Sequence, residues 1–218
     1  VKGLAIHDKG RTLKTILNTL DEVGYVVPEP QIVNAMFFGV PQHRERIYIV
    51  GFRKDLGLTA EDFSYPEQKE VTKKWIDVRE ENPVPAKYYL STTYQQTLIN
   101  HKARHAAKGN GFGYDIIPDD GIAHAIVVGG MGRESNLVID FRQKDLTPTT
   151  NIKGTVNTDG WRKMTPREWA RLQGYPDNFK IVVADASAYK QFGNSVAVPA
   201  IQATAAQLLK SLNDKNIL

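Results

Sequence analysis

The chain has no cysteine, which excludes disulfides, a thiolate metal site and a cysteine nucleophile. It has no apolar run long enough to cross a bilayer and no signal-peptide pattern at its start, so the sequence predicts a soluble protein with no membrane partner. Neither sign of charge dominates. Twenty-eight Lys+Arg against 24 Asp+Glu leave a net charge of +4, a mild bias towards an anionic partner. The glycine-rich stretch GNGFGY at 109–114 is not a dinucleotide fingerprint, because its third glycine is misplaced and no helical pattern follows. The first residue is Val1 rather than methionine, and the expectation is that sequence has been lost upstream.

What is present is an ordinary globular balance. With 41% hydrophobic and 24% charged residues over 218 positions, the chain suits one large domain or a domain with a smaller second lobe. Residues 11–24 place Leu13, Ile16, Leu17 and Leu20 at helical spacing and stop at Gly24. QIVNAMFF then reads as a strand leading through Gly39 and Pro41 into VPQHRERIYIVGF at 40–52. Helix, strand, turn and strand predict an α/β architecture. Residues 57–90 are polar and proline-containing, and read as a linker followed by irregular structure. At 165–176, TPREWARLQGYP spells a short helix: Thr165 caps, Pro166 opens, Glu168 closes a capping box and Gly174 ends it. The last helix is expected within 193–212, with Val198, Ile201, Ala205, Leu208 and Leu212 as its stripe and Asn194 and Ser195 as its caps.

Three groups of residues carry chemical interest. Arg44 and Arg46 are two apart at the mouth of an apolar run, Ile47–Val50, that reads as a strand buried on both sides, so both cations point to one face. From spacing alone a solvated strand mouth is the reading to prefer, because charged residues are mostly exposed. Residues 95–110 hold Lys102, Arg104 and Lys108 with no acidic residue among them, either a solvated helix face or a phosphate-tracking patch. Between the strand-like runs IAHAIVV and NLVIDFR, a glycine-rich turn presents Arg133 in a form suited to entering a groove, or a plain hairpin loop.

PQHRERIYIVGFR, MTPREWARLQGYP and YKQFGNSVAVPAI resemble, in order, three closing motifs of the DNA cytosine-C5 methyltransferases, of the bacterial restriction-modification type. The opening VKGLAIHDKGRTL resembles the stretch that follows that family's Glu-Asn-Val motif, with Val1 as its valine. The resemblance covers residues 1–55 and 160–218. It implies the C-terminal half of a doubly wound sheet that binds S-adenosyl-L-methionine, residues 1–58 and 158–218, with an inserted, mostly β target-recognition lobe at 59–157. By the same resemblance Arg46 reaches a flipped cytosine, at O2, Arg44 lies near that pocket and the backbone, and Gln42 steadies the motif. The resemblance also implies that Asn194, Ser195 and Val196 line the methyl-donor pocket, and Lys102, Arg104, Lys108 and Arg133 of the lobe are expected to contact double-stranded DNA, largely through phosphates. The implied setting is the bacterial cytoplasm.

The chain departs from the family in lacking its Pro-Cys nucleophile loop and catalytic glutamate motif, so alone it is expected to be inactive. The missing N-terminal half would lie in the same parent chain or in a second subunit of a split enzyme. A non-catalytic DNA-binding module is the third reading.

Overall fold

The computed structural model describes residues 2–129, 132–147 and 154–218. Among them the helices are α1 (Arg11–Glu22), α2 (Thr92–Ala106), α3 (Pro166–Leu172), α4 (Asp185–Asn194) and α5 (Val198–Asp214). The strands are β1 (Tyr25–Val26), β2 (Gln31–Asn34), β3 (Gln42–His43), β4 (Glu45–Tyr48), β5 (Phe52–Arg53), β6 (Ala123–His124), β7 (Leu137–Ile139) and β8 (Trp161–Lys163). Two compact units result. One comprises residues 1–39, 44–71 and 197–218, the other 40–43 and 72–196.

In the first unit the apolar stripe of α1 is half-buried and the chain reverses at Gly24, in the left-handed region at φ +93°. Antiparallel ladders join β1 to β5 and β2 to β4. Gln31–Asn34 extends as expected, but Ala35–Phe38 tightens into a 3₁₀ turn. Asn34 causes the switch, because its side-chain oxygen accepts from the Met36 N–H and caps the turn. The run expected to be buried on both sides is half-buried at Ile47, Tyr48 and Ile49 and buried only at Val50. Val50, Phe52, Leu58 and Phe63 form the core, with Leu208 and Leu212 of α5 packed on it. The stripe expected on α5 is displaced. Ile201 and Ala205 are exposed, while Ala200, Thr204 and Ser211 are buried, small side chains whose hydroxyls are satisfied by Ala200 and Gln207 carbonyls.

The second unit corrects the expected domain division. Met164, Trp169, Ala170, Leu172, Ala188 and Phe192 share one core with Trp75, Ile117, Ile126 and Val138, so 158–196 packs with 72–157. The stretch 59–157 is not mostly β either. Its described residues hold α2, with Ser91 accepting from the Tyr94 N–H as its cap, and the short β6 and β7. Nor do the runs flanking the glycine-rich turn form a hairpin, since β6 pairs in parallel with β3 and β7 antiparallel with β8. The turn's Gly130 and Met131 lie outside the described residues. Across the described residues there are four two-stranded ladders and no continuous half of a doubly wound sheet.

The capping box of α3 forms as read, Glu168 N–H to Thr165 Oγ1 at 3.1 Å and Thr165 N–H to Glu168 Oε2 at 2.8 Å. Glu168 also takes a second load. Arg162, fully buried, donates to both its oxygens at 2.8 Å and to Asp140 at 3.0 Å. Arg142 closes the network with two guanidinium hydrogen bonds to Asp140, at 2.9 and 2.7 Å, and a third from its backbone N–H at 3.1 Å. Burial pushes the Asp140 carboxyl up, but hydrogen bonds from Arg142 and the charges of Arg162 and Arg142 outweigh it and hold the group well below the usual carboxylate range.

A depressed folded-state pKa gives stability that is present above the unfolded value, near 3.9, and lost as pH falls through the folded one. Asp140→Asn should therefore lower unfolding free energy at pH 7 by about 3 kcal/mol, the cost of breaking a buried charge network. It should also flatten the loss of stability below about pH 4. Urea unfolding of both proteins at pH 7 and in the acid range measures this; equal stabilities would show that the network contributes nothing net.

Candidate functional site

The first unit gathers Arg44, Arg46 and Tyr48. Pairing of β4 with β2 holds the strand extended, with Arg46 opposite Val33 and Glu45 opposite Asn34, so positions 44, 46 and 48 fall on one face. Asn34 fixes where this face begins: its side-chain oxygen accepts from the Arg44 N–H at 3.1 Å, and the Ala35 N–H donates to the Arg44 carbonyl at 3.0 Å. Arg46 Nη1 donates to the Glu45 carbonyl at 2.8 Å, which folds its stem along the strand. The hydroxyl of Tyr65 anchors the far end on the Tyr48 carbonyl at 2.9 Å.

This face is electrostatically unusual. Arg44 is 3% exposed, and burial together with the nearby charge of Arg46 lowers its pKa to about 10, with Tyr48 partly opposing. Burial lowers Arg46 too, again against Tyr48. Burial raises Tyr48, with both arginines pulling it back. All three groups keep their ordinary charge states at neutral pH. Two partly desolvated guanidinium groups and a phenol on one face can hold a polar edge that offers acceptors. Sequence reasoning found the arginines but missed Tyr48, which the same period-two spacing would have supplied, and Asn34, whose place before an apolar run was a cap signal.

The second unit places Gln42. It is fully buried, and both ends of its carboxamide are engaged within the fold. Its Nε2 donates to the Leu172 carbonyl at 2.8 Å and Gln173 Oε1 at 3.2 Å, and its Oε1 accepts from the Ile126 N–H at 3.0 Å.

Asn194 and Ser195 do not cap α5, whose cap is Ala197 without a side-chain bond. They close α4, a helix the sequence reading did not separate because its own cap, Ala184, carries no capping side chain. Ser195 Oγ donates to the Phe192 carbonyl at 2.9 Å. Asn194 is exposed, and Val196 is 48% exposed. The segment therefore offers a carboxamide and an accessible apolar side chain, a fitting edge for a ligand with polar and apolar parts.

The expected basic contacts divide. Lys102 is spent internally, donating to the Tyr114 carbonyl at 2.9 Å and lying 4.6 Å from that ring's centroid. Arg104 and Lys108 are exposed. Arg133 is exposed and lies 5.4 Å over the Tyr189 ring, at a cavity of about 140 Å³ lined also by Val127, Val128, Trp169 and Lys190. Its neighbour Glu134 accepts from Tyr94 in the first turn of α2 at 3.0 Å. Arg104 lies ten positions further along α2, about 15 Å away along the helix axis.

Residues 1–210 match the model of the C-5 cytosine-specific DNA methylase family. The chain is 69% identical over 215 residues to the type II methyltransferase M.HpaII of Haemophilus parainfluenzae, covering 98% of itself and 60% of that protein. It is 40% identical to M.SsoII of Shigella sonnei, covering 98% of itself and 52% of that protein. The chain thus spans somewhat more than half the length of these relatives, and the C-terminal placement expected from motif order is not carried by those shares. Among solved structures, the methyltransferase EhMeth of Entamoeba histolytica superposes with a TM-score of 0.62 at 21% identity, over 93% of this chain and 58% of that one. Dnmt2 of S. pombe gives 0.56 at 19%, over 93% and 63%. At these identities the likeness speaks for the α/β methyltransferase fold alone. The chain belongs to the C-5 cytosine-specific DNA methylase family.

Proposed function

We propose that this chain works as part of a DNA cytosine-C5 methyltransferase, holding a flipped target cytosine, part of the methyl-donor site and part of the DNA grip. The observation that carries the reading is the shared face of Arg44, Arg46 and Tyr48 on β4, two partly desolvated guanidinium groups and a phenol that can meet a polar edge rich in acceptors. A cytosine taken out of the duplex presents such an edge, and its strained backbone presents phosphates. Arg46, less buried and at the centre of the face, takes the base at O2. Arg44 supports that pocket and the adjoining backbone.

Members of the family draw their methyl group from S-adenosyl-L-methionine, whose sulfonium supplies an activated methyl. Asn194, Ser195 and Val196 would hold part of that donor, with the exposed carboxamide of Asn194 as the polar contact. The chemistry also needs a thiolate to add to the ring. The chain has no cysteine, so the nucleophile belongs to the remainder of the enzyme, in the same parent chain or a second subunit. Arg104, Lys108 and Arg133 would contact phosphates of double-stranded DNA, while Lys102 serves the fold by holding Tyr114.

Incubated alone with labelled donor and mixed-sequence DNA, the chain should leave incorporation at background; turnover would refute the missing-nucleophile reading. In the complete enzyme, Arg46→Ala should slow methylation far more than it weakens duplex binding. Loss of a charge-assisted hydrogen bond in a desolvated pocket costs about 2–4 kcal/mol, roughly 30- to 1000-fold in rate. Near-normal turnover in a folded variant would return the arginine pair to a structural role. Salt titration of DNA binding separates the basic residues. Arg104→Ala, Lys108→Ala and Arg133→Ala should each reduce the slope of log K against log salt by about one. Lys102→Ala should leave that slope alone and lower thermal stability, and the reverse pattern would exchange their roles.

A further inference from the structure

Gln173 is fully buried at the end of α3, and its carboxamide points two ways. Its Oε1 accepts from Gln42 Nε2 at 3.2 Å. Its Nε2 donates to the Phe192 carbonyl at 2.7 Å and to the Ser195 carbonyl at 3.3 Å. Gln42 is itself oriented by the Ile126 N–H at its oxygen and the Leu172 carbonyl at its nitrogen. A buried N–H has few alternatives, so the amides form a directional chain from Ile126 through Gln42 and Gln173 to the end of α4. Neither glutamine can turn over without setting donor against donor or acceptor against acceptor.

The chain of amides ends where the candidate donor segment begins. Ser195 is the residue after α4, and its N–H and hydroxyl both return to the Phe192 carbonyl at 3.2 and 2.9 Å. Gln173 therefore reaches that segment from outside the helix, through the backbone of Phe192 and Ser195. A close approach fixes the other side, since a Cβ on Gly193 would fall 2.7 Å from Val128.

We propose that Gln173 is a positioning residue for residues 194–196, setting the Ser195 peptide from which Asn194 and Val196 face a methyl donor. This rests on the reading that 194–196 contacts the donor. Gln173 itself is buried and touches no ligand.

Gln173→Met keeps the volume and removes the donor. The Phe192 carbonyl keeps Ser195 as a partner and Gln42 Nε2 keeps Leu172, so the variant is expected to fold. Gln173→Glu sets a carboxylate against the Phe192 and Ser195 carbonyls, an arrangement relieved when the carboxyl protonates and can donate. Two measurements test the assignment. On the ligand-free chain, amide hydrogen exchange at Ser195 and Val196 should quicken in Gln173→Met while exchange along α3 stays as in the parent protein. In the complete enzyme, calorimetric titration with S-adenosyl-L-methionine should show Kd raised roughly three- to tenfold, the range of one buried hydrogen bond, with DNA affinity unchanged. For Gln173→Glu the donor Kd, measured on protein shown by thermal unfolding to be folded at both pH values, should be raised more at pH 8 than at pH 6.

Unchanged exchange and unchanged donor Kd in folded Gln173→Met would overturn the assignment, as would a pH-independent defect in Gln173→Glu. Asn194→Ala tells the two ideas apart. If it leaves donor Kd unchanged, the underlying donor reading fails; if it weakens the donor while Gln173→Met does not, the positioning role alone fails. Should Gln173→Met fail to fold, the pH profile of Gln173→Glu decides the matter.

Discussion

A buried guanidinium needs partners for its charge, and in the larger unit Arg162 finds them in two carboxylates that tie its surroundings together. Burial alone would push its pKa down, yet the hydrogen bonds and charges of Glu168 and Asp140 outweigh burial and leave it raised. Each partner does a second job. Glu168 closes the capping box of α3 and accepts from the Glu80 N–H, and Asp140, just after β7, is held by Arg142 as well. One cation thus ties β8, the start of α3, the end of β7 and the segment near Glu80 into a single arrangement. The same core explains why 158–196 folds with 72–157.

Arg44 obeys the same physics with the opposite sign. Its pKa falls, first through burial and then through the nearby charge of Arg46. Arg46 and Tyr48 act on Arg44 with opposite signs, the cation lowering its pKa and the phenol raising it. Bringing like charges together out of water costs stability, and any group that supplies acceptors to that face offsets part of the cost. Arg44, at 3% exposure, is not the solvated strand-mouth residue that its spacing suggests, and Arg46 is half-buried.

Local signals were legible in the sequence and long-range ones were not. α3 could be read in full because Thr165, Pro166, Glu168 and Gly174 act within one turn of it, and the shared face of Arg44 and Arg46 followed from strand alternation. α4 was hidden because Ala184 carries no capping side chain, which shifted the caps of α5 onto Asn194 and Ser195. The mostly β lobe was misjudged because α2 has little apolar periodicity, burying only Gln95 and Leu98. The roles of Gln42 and Gln173 depend on a contact across 131 positions, and that of Lys102 on Tyr114, twelve positions away. No local pattern announces either. The family was nevertheless legible, because its motifs are runs of residues with local geometry.

The central claim is that Arg46 meets the flipped cytosine at O2, and a thermodynamic cycle tests it directly. Methylation rates are measured for the complete enzyme and its Arg46→Ala variant on two duplexes, one with cytosine at the target and one with 2-thiocytosine, whose C2 sulfur is a much weaker acceptor. If the contact exists, each single change slows the reaction and the double change adds little more, giving a coupling of about 1.5–3 kcal/mol, the worth of a hydrogen bond to a charged group. Losses that simply multiply, with no coupling, would show that Arg46 does not touch that oxygen and would contradict the account.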